Sequence, residues 1–184
     1  MQSRVGQILI AHPNLPQGTP FEKTVIYIYQ DNIKGTLGLI LNKPTEWTVE
    51  DVCHDKQHSY IGPAKSLYIG GPVNTGALCM IHSDDWTSSN TMPAGPHISI
   101  SSDNFMLEKL GSGNVPAYWR MCVGMSAWQP GQLDAELKGQ PPYRAENSWL
   151  TAEANDTIIF DYDGDEQWEH ALKYSSQQMI NYYF

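Results

Sequence analysis

Gly124-Met125-Ser126-Ala127-Trp128-Gln129-Pro130-Gly131-Gln132-Leu133-Asp134-Ala135-Glu136-Leu137 is the segment around which the chain can be read. A strand from Tyr118 to Met125 feeds it, the chain turns at Pro130-Gly131, and a short helix follows. Leu133 and Leu137 stand four apart and share one helical face. Pro130 suits the entry to a helix, where no intrahelical N–H bond is lost. Before this segment, Ile98 and Ile100 alternate with Ser99 and Ser101, the pattern of a half-buried strand. Ser102 or Asp103 then caps a helix through Leu110, with Met106, Leu107 and Leu110 at helical spacing and Gly111 as the stop. After it, Gly139 to Tyr143 is a break and Trp149-Leu150 re-enter ordered structure. Thr157-Ile158-Ile159-Phe160 reads as a short strand. Asp165 is expected to cap a last helix with Trp168, Ala171, Leu172, Ser175 and Met179 on one face.

The N-terminal half is richer in strands. Val5 to Ala11 is the first, followed by an extended loop from His12 to Pro20 that holds Pro13, Pro16 and Pro20. Lys23 to Gln30 and Thr36 to Asn42 are apolar at consecutive positions, so both faces of each are covered. Their short connection predicts an antiparallel hairpin. Thr48 and Asp51 form a capping box for a helix start. Leu67-Tyr68-Ile69 is a short strand ending at Gly70-Gly71-Pro72, where a glycine pair reads as a bulge or tight bend. Ala77 to His82 is another strand, and Ser83 to Pro96 a polar loop. Antiparallel strands with helices inserted between them give an α+β class. No linker divides the chain, so residues 1–184 are read as one domain.

Composition narrows the function. The 184 residues are 41% hydrophobic and 17% charged, with net charge −9. From Glu146 onward there are eight acidic residues and one basic residue, a net of −7 that repels a phosphate backbone. With no helix-turn-helix and no basic recognition helix, direct nucleic-acid binding is not expected. No apolar run approaches a membrane span, and the start lacks a long apolar signal core. A cytoplasmic protein with no membrane contact is the expectation. Cys53, Cys79 and Cys122 are odd in number and widely spaced, which argues for free thiols rather than a disulfide framework or a zinc site.

The catalytic and metal motifs fail in specific ways. Gly124 to Trp128 resembles a nucleophile elbow around Ser126, but Trp128 stands where a small residue is needed. Trp128 reads instead as a core or turn anchor with its indole N–H satisfied. His54 and His58 are four apart, yet no HExxH accompanies them. Asp161, Asp163 and Asp165 alternate like a calcium loop, but Glu166 and Leu172 occupy its sixth and twelfth positions. No metal or cofactor is therefore expected.

Several motifs, weak singly, occur here in a specific order. They are Gly6-Gln7-Ile8-Leu9-Ile10-Ala11 with Phe21; Gly35-Thr36-Leu37-Gly38-Leu39-Ile40-Leu41-Asn42-Lys43-Pro44; Gly70-Gly71-Pro72-Val73; His82 closing the next strand; Ser102-Asp103 opening a helix; and Gly124 to Glu136, with Trp149-Leu150 behind it. In this order the chain resembles the YqgE/AlgH family of bacterial proteins. Ser126-Ala127 departs from the family's usual Ala-Gly, and Gln140 to Asn147 reads as an extra loop. The resemblance implies an α+β fold whose mostly antiparallel, bifurcated sheet curls into a pseudo-barrel with helices packed outside. Members carry the label of transcriptional regulator, and the resemblance assigns no reaction to any residue.

Two functions follow as expectations. The first is a non-catalytic binding or regulatory module acting through a protein partner or a small-molecule ligand. Its candidate surface is Asn42, Gly70, Gly71, Pro72, His82, Trp128, Gln132 and Glu136, turn and strand-end residues that could meet at one end of the sheet. The alternative is a hydrolase-like enzyme using polar residues at strand ends near His82. Absent motifs favour the module. Convergence of His82 with Asn42, Gln132 or Glu136 in one pocket would favour the enzyme.

Overall fold

The structure, a computed structural model, describes residues 3–144 and 148–183. In chain order the elements are β1 (Gln7–Ala11), β2 (Val25–Asn32), β3 (Gly35–Ile40), β4 (Pro44–Thr48), α1 (Val49–Asp55), β5 (Ser66–Ile69), β6 (Val73–Ser83) and β7 (Met92–Pro93). They continue with β8 (Ile98–Ser101), α2 (Asn104–Gly111), β9 (Trp119–Trp128), α3 (Gln132–Leu137), β10 (Trp149–Glu153), α4 (Asp156–Phe160) and α5 (Gly164–Tyr183). The sheet runs β10-β1-β2-β3-β9-β6-β8-β7, and β5 with β4 branches from β9. Every pairing is antiparallel except β5 on β9. The expected α+β class and the curled, forked sheet are what the chain adopts.

The fork lies on β9. Its Met121 to Val123 pair with β5, while Ser126 to Trp128 pair with β3 on the same edge. Gly70 stands where β3 and β5 part: its N–H donates to Val123 O at 2.8 Å and its carbonyl accepts from Ile40 N at 2.8 Å. A Cβ on Gly70 would collide with Gly124 O, and one on Gly124 with Gly71 O. Gly124 also has φ +73°, a conformation open to glycine at little cost. The glycines of two motifs thus meet backbone to backbone, and that contact lets one strand serve two neighbours.

Both sheet faces are covered. Ile8, Ile10, Val25, Tyr27 and Leu39 pack with Ile81, Ile98 and Ile100 on the concave side, where Ile158, Ile159 and Ala171 of α4 and α5 join them. On the opposite face of the first strands, Leu9, Ile26, Ile28 and Ile40 pack with Trp128, Leu133 and Trp149. A third cluster sets Val49, Cys53, Met106 and Leu110 of α1 and α2 against Met80 and Met121. Arg120 is buried at the join: its guanidinium donates to Leu41 O, to Gln167 Oε1 at 2.9 Å and to Tyr162 O at 2.9 Å, and stacks on Tyr68. The three cysteines are buried free thiols.

The hairpin, the Thr48–Asp51 capping box and the helix over Gln132–Leu137 form as the sequence reads. Asp103, not Ser102, caps α2 by accepting from Met106 N at 2.9 Å. Other expectations are corrected. Thr157 to Phe160 is helical, because Asn155 Oδ1 accepts from Ile158 N at 2.9 Å and caps α4. β9 runs past Met125 to Trp128, since β3 offers it a second partner. The serines of β8 are buried along with its isoleucines, because the strand is covered on both faces. Asp165 lies within the first turn of α5 rather than capping it, and its carboxylate pairs with Lys23 at 2.7 Å. Met179 is exposed beyond the end of the core. The short strands β4 and β7 carry no alternation and were not expected from the sequence. The extra loop over Gln140–Asn147 is described as far as Arg144; residues 145–147 lie outside the described residues.

Candidate functional site

Trp128 ends β9, and Gln132 and Glu136 follow on α3. The sequence sets them four apart, so one side of a helix starting at Gln132 looks back at the end of the strand. Glu136 is the hub. Its Oε2 accepts from Trp128 Nε1 at 3.1 Å and from Trp149 Nε1 at 2.8 Å, and its Oε1 accepts from Gln132 Nε2 at 3.0 Å. Gln132 Oε1 accepts from Gln129 N at 3.0 Å, which fixes the amide's orientation. Trp149 arrives from β10, where the register pairs it with Ala11 of β1. The expectation that Trp128 is an anchor with a satisfied indole is thereby met.

Above this clamp lies a cleft of about 470 Å3. The loop before β2 supplies one wall through Leu15, Pro16, Thr19 and Phe21, and Pro142, Tyr143 and Arg144 supply another. Phe21 stacks near Trp128, with ring centroids 6.4 Å apart, and meets Trp149 edge-on at 5.6 Å. The two indoles meet each other edge-on at 6.0 Å. These are offset and T-shaped arrangements that aromatic rings prefer. The floor is therefore rigid and aromatic, with one carboxylate set in it.

Of the eight residues the sequence singled out, Trp128, Gln132 and Glu136 share this cleft. Asn42 is fully buried and holds backbone: its Oδ1 accepts from Val25 N at 2.9 Å and its amide donates to Lys23 O and Gly164 O, both at 2.8 Å. Gly70 and Gly71 belong to the β9 fork, with Pro72 exposed beside them. His82 is fully buried, with Nδ1 2.8 Å from Ser83 O and Nε2 2.9 Å from Ser101 Oγ. Burial holds its imidazole below the usual pKa, against the raising effect of the Ser83 carbonyl. The His82–Ser101 contact has the spacing of a serine–base pair, but Ser101 is also buried and Trp86 packs edge-on over the imidazole at 5.2 Å. His82 does not converge with Asn42, Gln132 or Glu136.

Ser126 is buried with its hydroxyl donating to Gly70 O at 3.2 Å, a structural tie at the fork. Asp163 and Asp165 take separate partners, Tyr68 and Lys23. Among the described residues no cluster of three His, Cys, Asp or Glu side chains is arranged to hold a metal. Sequence reasoning did not place Phe21, Tyr143, Arg144 or Trp149 in the site. Phe21 and Trp149 did stand out in the ordered motifs, and that was the available signal.

A family model described as AlgH-like (DUF179) matches residues 8–179. The chain belongs to this family. A UPF0301 protein of Methylococcus capsulatus is 35% identical, the match covering 92% of this chain and 90% of the relative. Another of Rhizobium meliloti is 33% identical over 91% of this chain and 84% of its own length. The solution structure of the AlgH protein from Pseudomonas aeruginosa superposes with a TM-score of 0.73 at 28% identity, covering 93% of this chain and 89% of that one. AlgH-like membership agrees with the order of motifs read in the sequence. Within the described residues no helix is long and apolar enough to cross a membrane.

Proposed function

We propose that this AlgH-like chain is a non-catalytic binding or regulatory module whose working face is the aromatic cleft over Glu136. The observation that carries this reading is the state of that carboxylate. It takes three hydrogen bonds from Trp128, Trp149 and Gln132, so it is held as a fixed acceptor rather than poised beside a nucleophile. A general base must reach the proton it removes, and the donors described at this carboxylate are two indoles and an amide. A volume of about 470 Å3 lies in the range of small-molecule sites. The reading includes no direct contact with nucleic acid, in keeping with the net charge of −9.

A fragment screen followed through the indole N–H resonances of Trp128 and Trp149 tests it. Hits are expected to shift those two signals together, and Phe21→Ala is expected to weaken them. Turnover of broad hydrolase substrates by the parent chain, lost in Glu136→Gln or His82→Ala while folding persists, would replace the module with an enzyme.

A further inference from the structure

The hydrogen-bond donors around Glu136 are committed to the protein. Both indole N–H groups and one amide N–H of Gln132 are spent on Glu136. The Thr19 hydroxyl donates to Pro16 O at 3.2 Å and the Ser148 hydroxyl to Glu136 O at 3.1 Å. These donors are turned inward on the protein; the exposed Arg144 guanidinium and the Tyr143 hydroxyl, on one wall, are not among them. A ligand meets the half-buried rings of Phe21 and Tyr143, the small exposed parts of Trp128 and Trp149, and the field of one carboxylate set deeper than the exposed Arg144. That carboxylate has no ion-pair partner among the described residues, since its three donors are all neutral. Among the described residues Arg144 is the one basic side chain lining the cleft; it is solvent-exposed and makes no ion pair with Glu136.

From this we infer that the cleft takes a small organic cation, a methylated ammonium group seated against the aromatic rings within the field of Glu136. The inference rests on the cleft being the working face. Three of the roughly four lone-pair positions of a carboxylate are already filled at Glu136, so the carboxylate offers charge more than further hydrogen bonding. A quaternary ammonium, its nitrogen fully substituted by carbon, needs just that, because it has no N–H bond to satisfy. Aromatic rings attract such cations through their quadrupole, and aromatic cages for quaternary ammonium groups use the same chemistry. The cleft volume suits a free small molecule.

Choline and its uncharged isostere 3,3-dimethylbutan-1-ol separate charge from shape. Each is titrated into the full chain while the Trp128 and Trp149 indole signals are followed. Choline is expected to bind about tenfold more tightly than the isostere, a difference of cation–π size. Glu136→Gln keeps an oxygen for both indoles and is expected to weaken choline about tenfold, while Arg144→Gln removes a repelling charge and strengthens it about twofold. Equal binding of the two compounds overturns the cation inference while leaving the cleft a binding site. Unchanged choline affinity in Glu136→Gln also overturns it. No response to choline at tens of millimolar refutes it outright, and the fragment screen then judges the cleft on its own.

Discussion

Replacing Glu136 with alanine and, separately, with glutamine asks what the carboxylate does for the fold. Trp128 and Trp149 are 5% and 7% exposed, and both indole N–H groups point at one oxygen of Glu136. An unsatisfied buried donor costs roughly 1–3 kcal/mol, so losing both partners sets a ceiling of about 6 kcal/mol. The cleft is wide enough for water, and a bridging water recovers most of a lost hydrogen bond. The expected cost of Glu136→Ala is therefore near the lower end, about 2–3 kcal/mol. Glu136→Gln retains a carbonyl oxygen for both indoles but turns its NH2 toward Gln132 Nε2, so it loses the charge and that one hydrogen bond and should cost about 1–2 kcal/mol. Urea unfolding followed by tryptophan fluorescence measures both, read as a midpoint shift at constant slope. Alanine within about 0.5 kcal/mol of the parent would refute the clamp as a stabilising element. Glutamine as costly as alanine would show that the charge and the bond from Gln132, rather than the acceptor placed between the indoles, hold the clamp.

Two further outcomes follow from the geometry. Gly124→Ala combines positive φ with a collision against Gly71 O, whereas Gly131 has φ +79° and open space around its Cβ position. Gly131→Ala should cost about 1 kcal/mol of backbone strain and Gly124→Ala at least about 2 kcal/mol more; equal effects in chemical denaturation would show that the fork does not depend on that close approach. His82 titrates below its usual value of 6.5 because it is buried. The unfolded chain then takes up a proton at this site before the folded chain does, so stability is expected to fall as pH drops below about 6.5. His82→Gln should flatten that part of the stability profile between pH 7 and 5.5, and an unchanged slope would assign it to another group.

The legible parts of the sequence are those set by local rules. Val25 to Tyr29 and Leu37 to Leu41 are apolar without interruption, and both faces of that hairpin are buried. Gln132 and Glu136 are four apart on a helix, so their contact is a matter of helical pitch. Thr157 to Phe160 misleads because a four-residue apolar run fits either a strand or a helix. The cap from Asn155 decides it, and that residue lies outside the run. Asn42 and His82 mislead differently. A polar residue at a strand end is equally able to serve a ligand or to satisfy backbone, and here both are fully buried in internal hydrogen bonds. Trp149 joins Trp128 only through the β1–β10 register and the closing of the sheet, a long-range result with no local pattern in the sequence.

The cleft and the fold share their supports, which constrains how function can be probed. The glycine fork lets β9 leave β5 and run alongside β3, and this carries Trp128 to the outer face where Phe21 and Leu133 pack. The β1–β10 pairing brings Trp149 to the same place, and Glu136 locks the two indoles together. Substitution of any of these residues disturbs packing as well as binding, so a loss of binding alone says little about recognition. Phe21 packs on both indoles, but Arg144 is exposed and Thr19 only half-buried on the cleft walls. Changes at such rim positions alter charge or shape in the cleft while the clamp beneath keeps its three hydrogen bonds. Affinity that follows the rim while stability follows the clamp is the pattern required if the aromatic cleft is a site in its own right and not merely the outer surface of a core.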